Sequence, residues 1–169
     1  VVPLAKISKN AQNAIVSVED KRFYKHKGVD LSGMLRAVVT NAAGGSTQGA
    51  STLTQQYVKN VLIEAGLQAS DPEAVEAARA ATPARKLREA KYALTLEKRY
   101  TKAQILEGYL NIAAFGPSTY GIEAASRHYF SHSADTLSVG EAALLAGMTN
   151  WPTRYDPITN PDAAKTRRD

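Results

Sequence analysis

Ser17-Val18-Glu19-Asp20-Lys21-Arg22-Phe23-Tyr24-Lys25-His26-Lys27-Gly28 sets two adjacent carboxylates at the end of an apolar run and follows them with five basic or potentially basic side chains before a glycine. A carboxylate at the edge of an apolar surface has its pKa raised, and one facing cations has it lowered, so a residue so placed can be tuned for proton transfer. Standing alone, a Glu-Asp pair reads first as solvated charge at a helix end. Upstream, Ala11, Ala14, Ile15 and Val18 repeat at helical spacing, which predicts a helix with Asn10 as N-cap and Glu19 at its end. Lys25 to Gly28 reads as the exit, with the glycine available for a left-handed C-cap. His26 reads as a hydrogen-bonded structural histidine.

The chain has 169 residues, 44% of them hydrophobic and 22% charged, which is ordinary for one globular domain. With no cysteine, disulfides, zinc-thiolate sites and thiol nucleophiles are excluded, leaving carboxylates, hydroxyls, amides and basic groups for any chemistry. The net charge of +5 favours an anionic partner: nucleic acid, a phospholipid surface or a phosphorylated substrate. No apolar run is long enough to span a bilayer, and no signal peptide is present. The start at Val1 without methionine and the end at Asp169 read as a fragment of a longer protein that carries any anchor.

Leu31, Met34, Leu35, Val38 and Val39 form a second helical stripe behind Asp30 or Ser32. It reads as a core-facing helix first and a lipid-facing one second. Residues 41–50 are small, polar and glycine-rich and read as a loop. Beyond it, Leu53, Tyr57, Val58, Val61 and Leu62 predict the buried face of a helix whose other side carries Thr52, Gln56 and Lys59. A glycine loop leading into such a helix start is a seat for phosphate, though no Walker pattern is present.

Residues 67–82 read as a short exposed helix starting after Asp71-Pro72, an insertion in character. Thr82-Pro83 caps a longer helix to about Arg99, on which Arg85, Lys86 and Glu89 share one side, on first reading as a surface ion pair. Thr101 with Gln104 and Ser138 with Glu141 are capping boxes for two further helices, and another runs from about Ile122 to Phe130. Strand-like alternation is nearly missing, so a mainly α domain is expected.

Together these stretches resemble the peptidoglycan glycosyltransferase domain of class A penicillin-binding proteins, the family 51 glycosyltransferases. Glu19 to Gly28 looks like the first motif, Gly49 to Asn60 the second, and Arg85 to Glu89 with Ala93 and Glu97 the third. Ile105 to Asn111 and Leu137 to Gly147 look like the last two. The resemblance covers nearly the whole chain in the family's order. Lys21, where arginine is common, and Lys25, where an acid is common, depart from the pattern, and residues 66–81 are longer than in many relatives.

The resemblance implies a lysozyme-like, bilobal fold with a small membrane-proximal lobe, the cleft lying between the lobes, and residues 1–169 as one such domain of a larger, bifunctional protein. The implied reaction is polymerisation of lipid II onto a growing lipid-linked glycan with release of undecaprenyl diphosphate and inversion to a β-1,4 linkage. Glu19 would be the general base and Glu89 the second cleft carboxylate, orienting the basic residues or holding a divalent cation such as Mg or Mn; no organic cofactor is implied. Asp20 would hold the local geometry, Lys59, Arg85 and Lys86 would face the diphosphate, and Ser51, Thr52, Gln55 and Gln56 would bind sugar and phosphate oxygens. Phe23, His26 and Glu107 would be structural, Glu107 ordering the cleft helices. The implied setting is the outer face of the bacterial cytoplasmic membrane, with moenomycin-type inhibitors and other cell-wall synthesis proteins as further partners.

A lysozyme-like hydrolase or lytic transglycosylase would also use a glutamate in a helical cleft, but a glycan leaving group gives no reason for the Lys59, Arg85 and Lys86 cluster. A non-enzymatic binding module for nucleic acid or anionic lipid, which the +5 charge suggests, is disfavoured because basic and acidic residues alternate and aromatics are only 7% of the chain.

Overall fold

A computed structural model describes residues 1–33 and 51–169. Its α-helices are α1 (Lys9–Glu19), α2 (Leu53–Gln68), α3 (Pro72–Arg79), α4 (Pro83–Arg99), α5 (Lys102–Ile112), α6 (Ile122–Phe130), α7 (Val139–Met148) and α8 (Pro161–Arg168). Short 3-10 turns stand at Leu4–Lys6 and Ala134–Thr136. Among the described residues the only extended pairing is an isolated antiparallel bridge between Ala114 and Tyr120. Of the predicted stripe, Met34, Leu35, Val38 and Val39 lie outside the described residues, as does the loop at 41–50.

The chain divides into two compact units, residues 1–21 with 106–169 and residues 22–105. In the first, α7 packs on α1 and α8. Ile15 of α1 and Leu145, Ala146 and Met148 of α7 are shut from water, each large apolar side chain contributing about 1.5–3 kcal/mol. Helix α7 is apolar nearly all round, and Gly147 lets α8 approach so closely that a Cβ there would stand 3.0 Å from the Arg167 stem. Buried Gln12 ties α1 to the N-terminal turn, its amide donating to the Leu4 and Ile7 carbonyls at 3.0 and 2.8 Å.

In the second unit, α2 packs on both α3 and α4, with Leu53 and Val58 of α2, Val75 and Ala78 of α3 and Ala93 of α4 buried. Thr82 and Pro83 start α4 as their order predicts, the Thr82 hydroxyl accepting from the Arg85 N–H at 3.2 Å. The Thr101–Gln104 and Ser138–Glu141 capping boxes form as expected.

Five expectations are corrected. The α1 cap is Ser8, whose hydroxyl accepts from the Ala11 N–H, while Asn10 donates its amide to the Leu137 carbonyl. Val18 and Val61 are exposed, because the buried stripes of α1 and α2 are narrower than the apolar pattern. Gly28 has a positive φ of 93° but does not end α1, which stops at Glu19. Helix α3 is not exposed all round, since Val75 and Ala78 are buried and Val75 packs so tightly on α2 that a Cβ at Gly66 would come within 2.8 Å of it. Helix α8 was not predicted at all.

Candidate active site

In the first unit, Glu19 is the last residue of α1 and is half-buried. Its carboxylate accepts a hydrogen bond from the hydroxyl of Thr149, the C-cap of α7. Buried Tyr109 on α5 has its phenol pushed well above the ordinary value, first by burial and then by the negative charge of Glu19. It therefore stays a neutral phenol beside the carboxylate. Asp20, the C-cap of α1, is buried, and its N–H closes the last turn on the Val16 carbonyl at 2.9 Å.

Glu107 on α5 holds the N-terminal segment. Its carboxylate accepts from the Leu4 N–H at 2.6 Å, while Asn111 one turn on exchanges hydrogen bonds with the Val2 backbone at 2.8 and 2.9 Å.

In the second unit, three stretches that are distant in sequence converge on the turn ending at Gly28. Thr52 donates its hydroxyl to the Gly28 carbonyl at 2.7 Å, and a Cβ at Gly28 would lie 2.7 Å from the Ala93 carbonyl of α4. The positive φ and this close approach both demand glycine. His26 is buried and accepts the Gly28 N–H on Nδ1 at 3.2 Å. Phe23, wholly buried, carries the Lys102 ammonium 4.4 Å above its ring.

Thr52 and Gln55 sit at the start of α2. Both are buried, and they form a reciprocal capping box in which the Thr52 N–H donates to Gln55 Oε1 at 2.9 Å and the Gln55 N–H to the Thr52 hydroxyl at 3.2 Å. This box builds the α2 start. Ser51, Gln56 and Lys59 remain partly accessible. Two residues without an assigned role join the framework: buried Thr54 donates to Glu97 at 2.5 Å, and Lys102 donates to the same carboxylate at 2.8 Å.

Helix α4 supplies the charges. The Arg85 guanidinium donates to Glu89 Oε1 through one nitrogen and to the Ala80 carbonyl through Nε. Lys86 donates to Glu89 Oε2 at 3.2 Å and to the Ser51 hydroxyl at 2.5 Å. Glu89 is 1% exposed and Arg85 9%, so the pair is buried and not the surface contact its spacing first suggests. The Lys59 ammonium is held below the ordinary lysine value, first by burial and then by the positive charge of Arg85, with Lys86 and Arg79 adding to it and Glu89 opposing. Of the charged groups acting on Lys59, three cations, Arg85, Lys86 and Arg79, thus oppose its charge and one carboxylate, Glu89, favours it.

Glu89 does not fit the role of a metal ligand. Both of its oxygens are occupied by cations, and no group of three or more His, Asp or Glu residues able to hold a metal exists among the described residues.

The sequence matches the family described as Transglycosylase over residues 1–169. The chain belongs to the Transglycosylase family. This transglycosylase domain is 40% identical over 169 residues to penicillin-binding protein 1F of Bacillus subtilis (strain 168), a match covering 99% of the chain and 22% of that protein. It is 42% identical over 168 residues to penicillin-binding protein 2D of the same organism, covering 99% of the chain and 22% of that protein. Against penicillin-binding protein 2a of Streptococcus pneumoniae serotype 2 the identity is 41% over 168 residues, 99% of the chain and 21% of the relative. The transglycosylase chain spans about a fifth of the length of these relatives. It is a mainly helical, lysozyme-like peptidoglycan glycosyltransferase domain.

Proposed function

We propose that the domain polymerises lipid II, transferring a lipid-diphosphate-linked glycan to the 4-hydroxyl of an incoming disaccharide. The observation that carries this is the surplus of positive charge around Glu89, where Lys59, Arg85 and Lys86 gather without enough carboxylate to balance them. A diphosphate leaving group supplies the missing charge, and its charge grows as the bond breaks, so fixed cations stabilise the transition state more than the ground state.

Glu19 accepts the proton of the 4-hydroxyl as its oxygen attacks the anomeric carbon from the face opposite the diphosphate. The anomeric C–O bond breaks with its electron pair leaving on the phosphate oxygen, so configuration inverts and undecaprenyl diphosphate departs. Ser51 and Gln56 contact sugar and phosphate oxygens, Thr52 and Gln55 shape the helix start that presents them, and Asp20 fixes the end of α1. Glu89 acts by aiming Arg85 and Lys86, and no step passes through a metal.

The relatives are named penicillin-binding proteins, and that likeness supports reading the domain as part of a larger membrane-anchored protein that works at the outer face of the cytoplasmic membrane. There it meets the growing glycan, moenomycin-type inhibitors and other cell-wall proteins. No helix among the described residues is long and apolar enough to cross a membrane.

The test is incubation of the purified chain with lipid II in detergent, with separation of glycan products by length. Polymer with stoichiometric release of undecaprenyl diphosphate is expected. Cleavage of preformed glycan without polymer would instead make the domain a lytic enzyme, and lipid II bound but not consumed would make it a binding module.

A further inference from the structure

We infer that Thr149 is a positioning residue for the reaction, holding the Glu19 carboxylate in the orientation from which it takes the proton; this rests on the reading of Glu19 as general base. Glu19 is the last residue of α1, and its Oε1 accepts the Thr149 hydroxyl where α1 packs on α7. Thr149 stands at the C-cap of α7, whose preceding residues Leu145, Ala146, Gly147 and Met148 are all buried. The α1–α7 packing therefore gives the hydroxyl a rigid mount.

The Thr149 hydroxyl has a single proton and two acceptors within reach, Glu19 Oε1 and the Ala146 carbonyl 2.8 Å away. A carboxylate is the stronger acceptor, so the proton is directed to Glu19. The β-branched side chain narrows χ1, which keeps the donor aimed.

The decisive experiment measures lipid II polymerisation kinetics for Thr149→Val and Thr149→Ser beside Glu19→Gln. Valine keeps the shape and removes the donor. The expected result is a kcat lowered roughly ten-fold with KM unchanged, the signature of a misaimed group in the transition state, and recovery in the serine variant to within about three-fold. An unchanged kcat in folded Thr149→Val, a rise in KM alone, or an equal loss in Thr149→Ser would overturn the inference. Thr149→Ala supplies the same comparison if valine does not fold. A second readout needs no turnover: Thr149→Val is expected to lower Tm in the wild type but not in a Glu19→Ala background, and equal lowering in both would remove the contact. If Glu19→Gln still polymerises, the base assignment fails; if it is inactive while Thr149→Val is fully active, only the role of Thr149 fails.

Discussion

Arg85 and Glu89 stand one turn apart on α4 and pair through a guanidinium–carboxylate hydrogen bond in a place almost closed to water, with 9% and 1% of their surfaces exposed. Removing one partner of a buried pair leaves the other charge uncompensated, at a cost of about 3 kcal/mol or more. Glu89→Gln is therefore expected to lower Tm by roughly 6–12 °C, using the usual scaling for a chain of this size. Thermal unfolding followed by circular dichroism reads this directly, and a change within 1 °C would mean that the pair holds nothing in place.

Lys59 makes the opposite prediction for stability. Its ammonium is disfavoured in the folded state by burial and by neighbouring cations, so Lys59→Met, which keeps the stem and removes the charge, is expected to give an equal or higher Tm while raising KM for lipid II at least ten-fold. The sign with pH follows. The unfolded chain holds this proton more tightly, so wild-type stability rises as pH climbs from the lowered folded pKa towards 10.5, and the Tm gap closes there. A variant less stable than the wild type at neutral pH would contradict this account of the charge cluster.

What local chemistry dictates was legible. Thr82-Pro83 and Asp71-Pro72 fixed the starts of α4 and α3, and the two capping boxes fixed α5 and α7, because a cap is a contact between neighbours in sequence. Helix α8 escaped despite Asn160-Pro161 before it, since its turns carry too few apolar residues to show a period. Thr52 and Gln55 share the Thr-x-x-Gln spacing of Thr101 and Gln104, but the burial of their capping box depends on packing that spacing does not encode. Burial also decided that Arg85–Glu89 is internal, and burial is a property of packing, not of spacing. Thr149 lies 130 residues from Glu19, so nothing local announces the contact.

Gly28 is expected to tolerate no side chain. At a φ of 93°, with the Ala93 carbonyl 2.7 Å from where a Cβ would stand, Gly28→Ala must both strain the backbone and displace α4, a loss of roughly 2 kcal/mol or more. Thr52→Val removes the cap and the hydrogen bond to Gly28 and is expected to cost about 1–2 kcal/mol. Urea unfolding of the two single variants and the double variant tests whether they weaken one junction. Strictly additive losses would separate them.

His132 and Glu141 give a pH signature away from the candidate site. Their contact of 3.0 Å and the Ser138 N–H at 2.8 Å draw the Glu141 carboxyl down to about 2, and the same carboxylate raises His132 above 6.5. The histidine contribution is complete below pH 6.5 and is lost as pH rises through its raised folded value. The Glu141 contribution is present above pH 4.5 and is lost as pH falls towards 2. His132→Gln should consequently lower Tm more at pH 6 than at pH 9, and an equal change at both would show that the histidine is not charged in the folded chain.

The proposed mechanism turns on Glu19 taking the proton from the attacking hydroxyl. The most direct measurement compares glycan formation from purified lipid II by the wild type and by Glu19→Gln, with circular dichroism confirming that both are folded. Polymer from the wild type, with a rate at least 100-fold lower in the variant, is the predicted result. A folded Glu19→Gln variant that polymerises lipid II at the wild-type rate would contradict it.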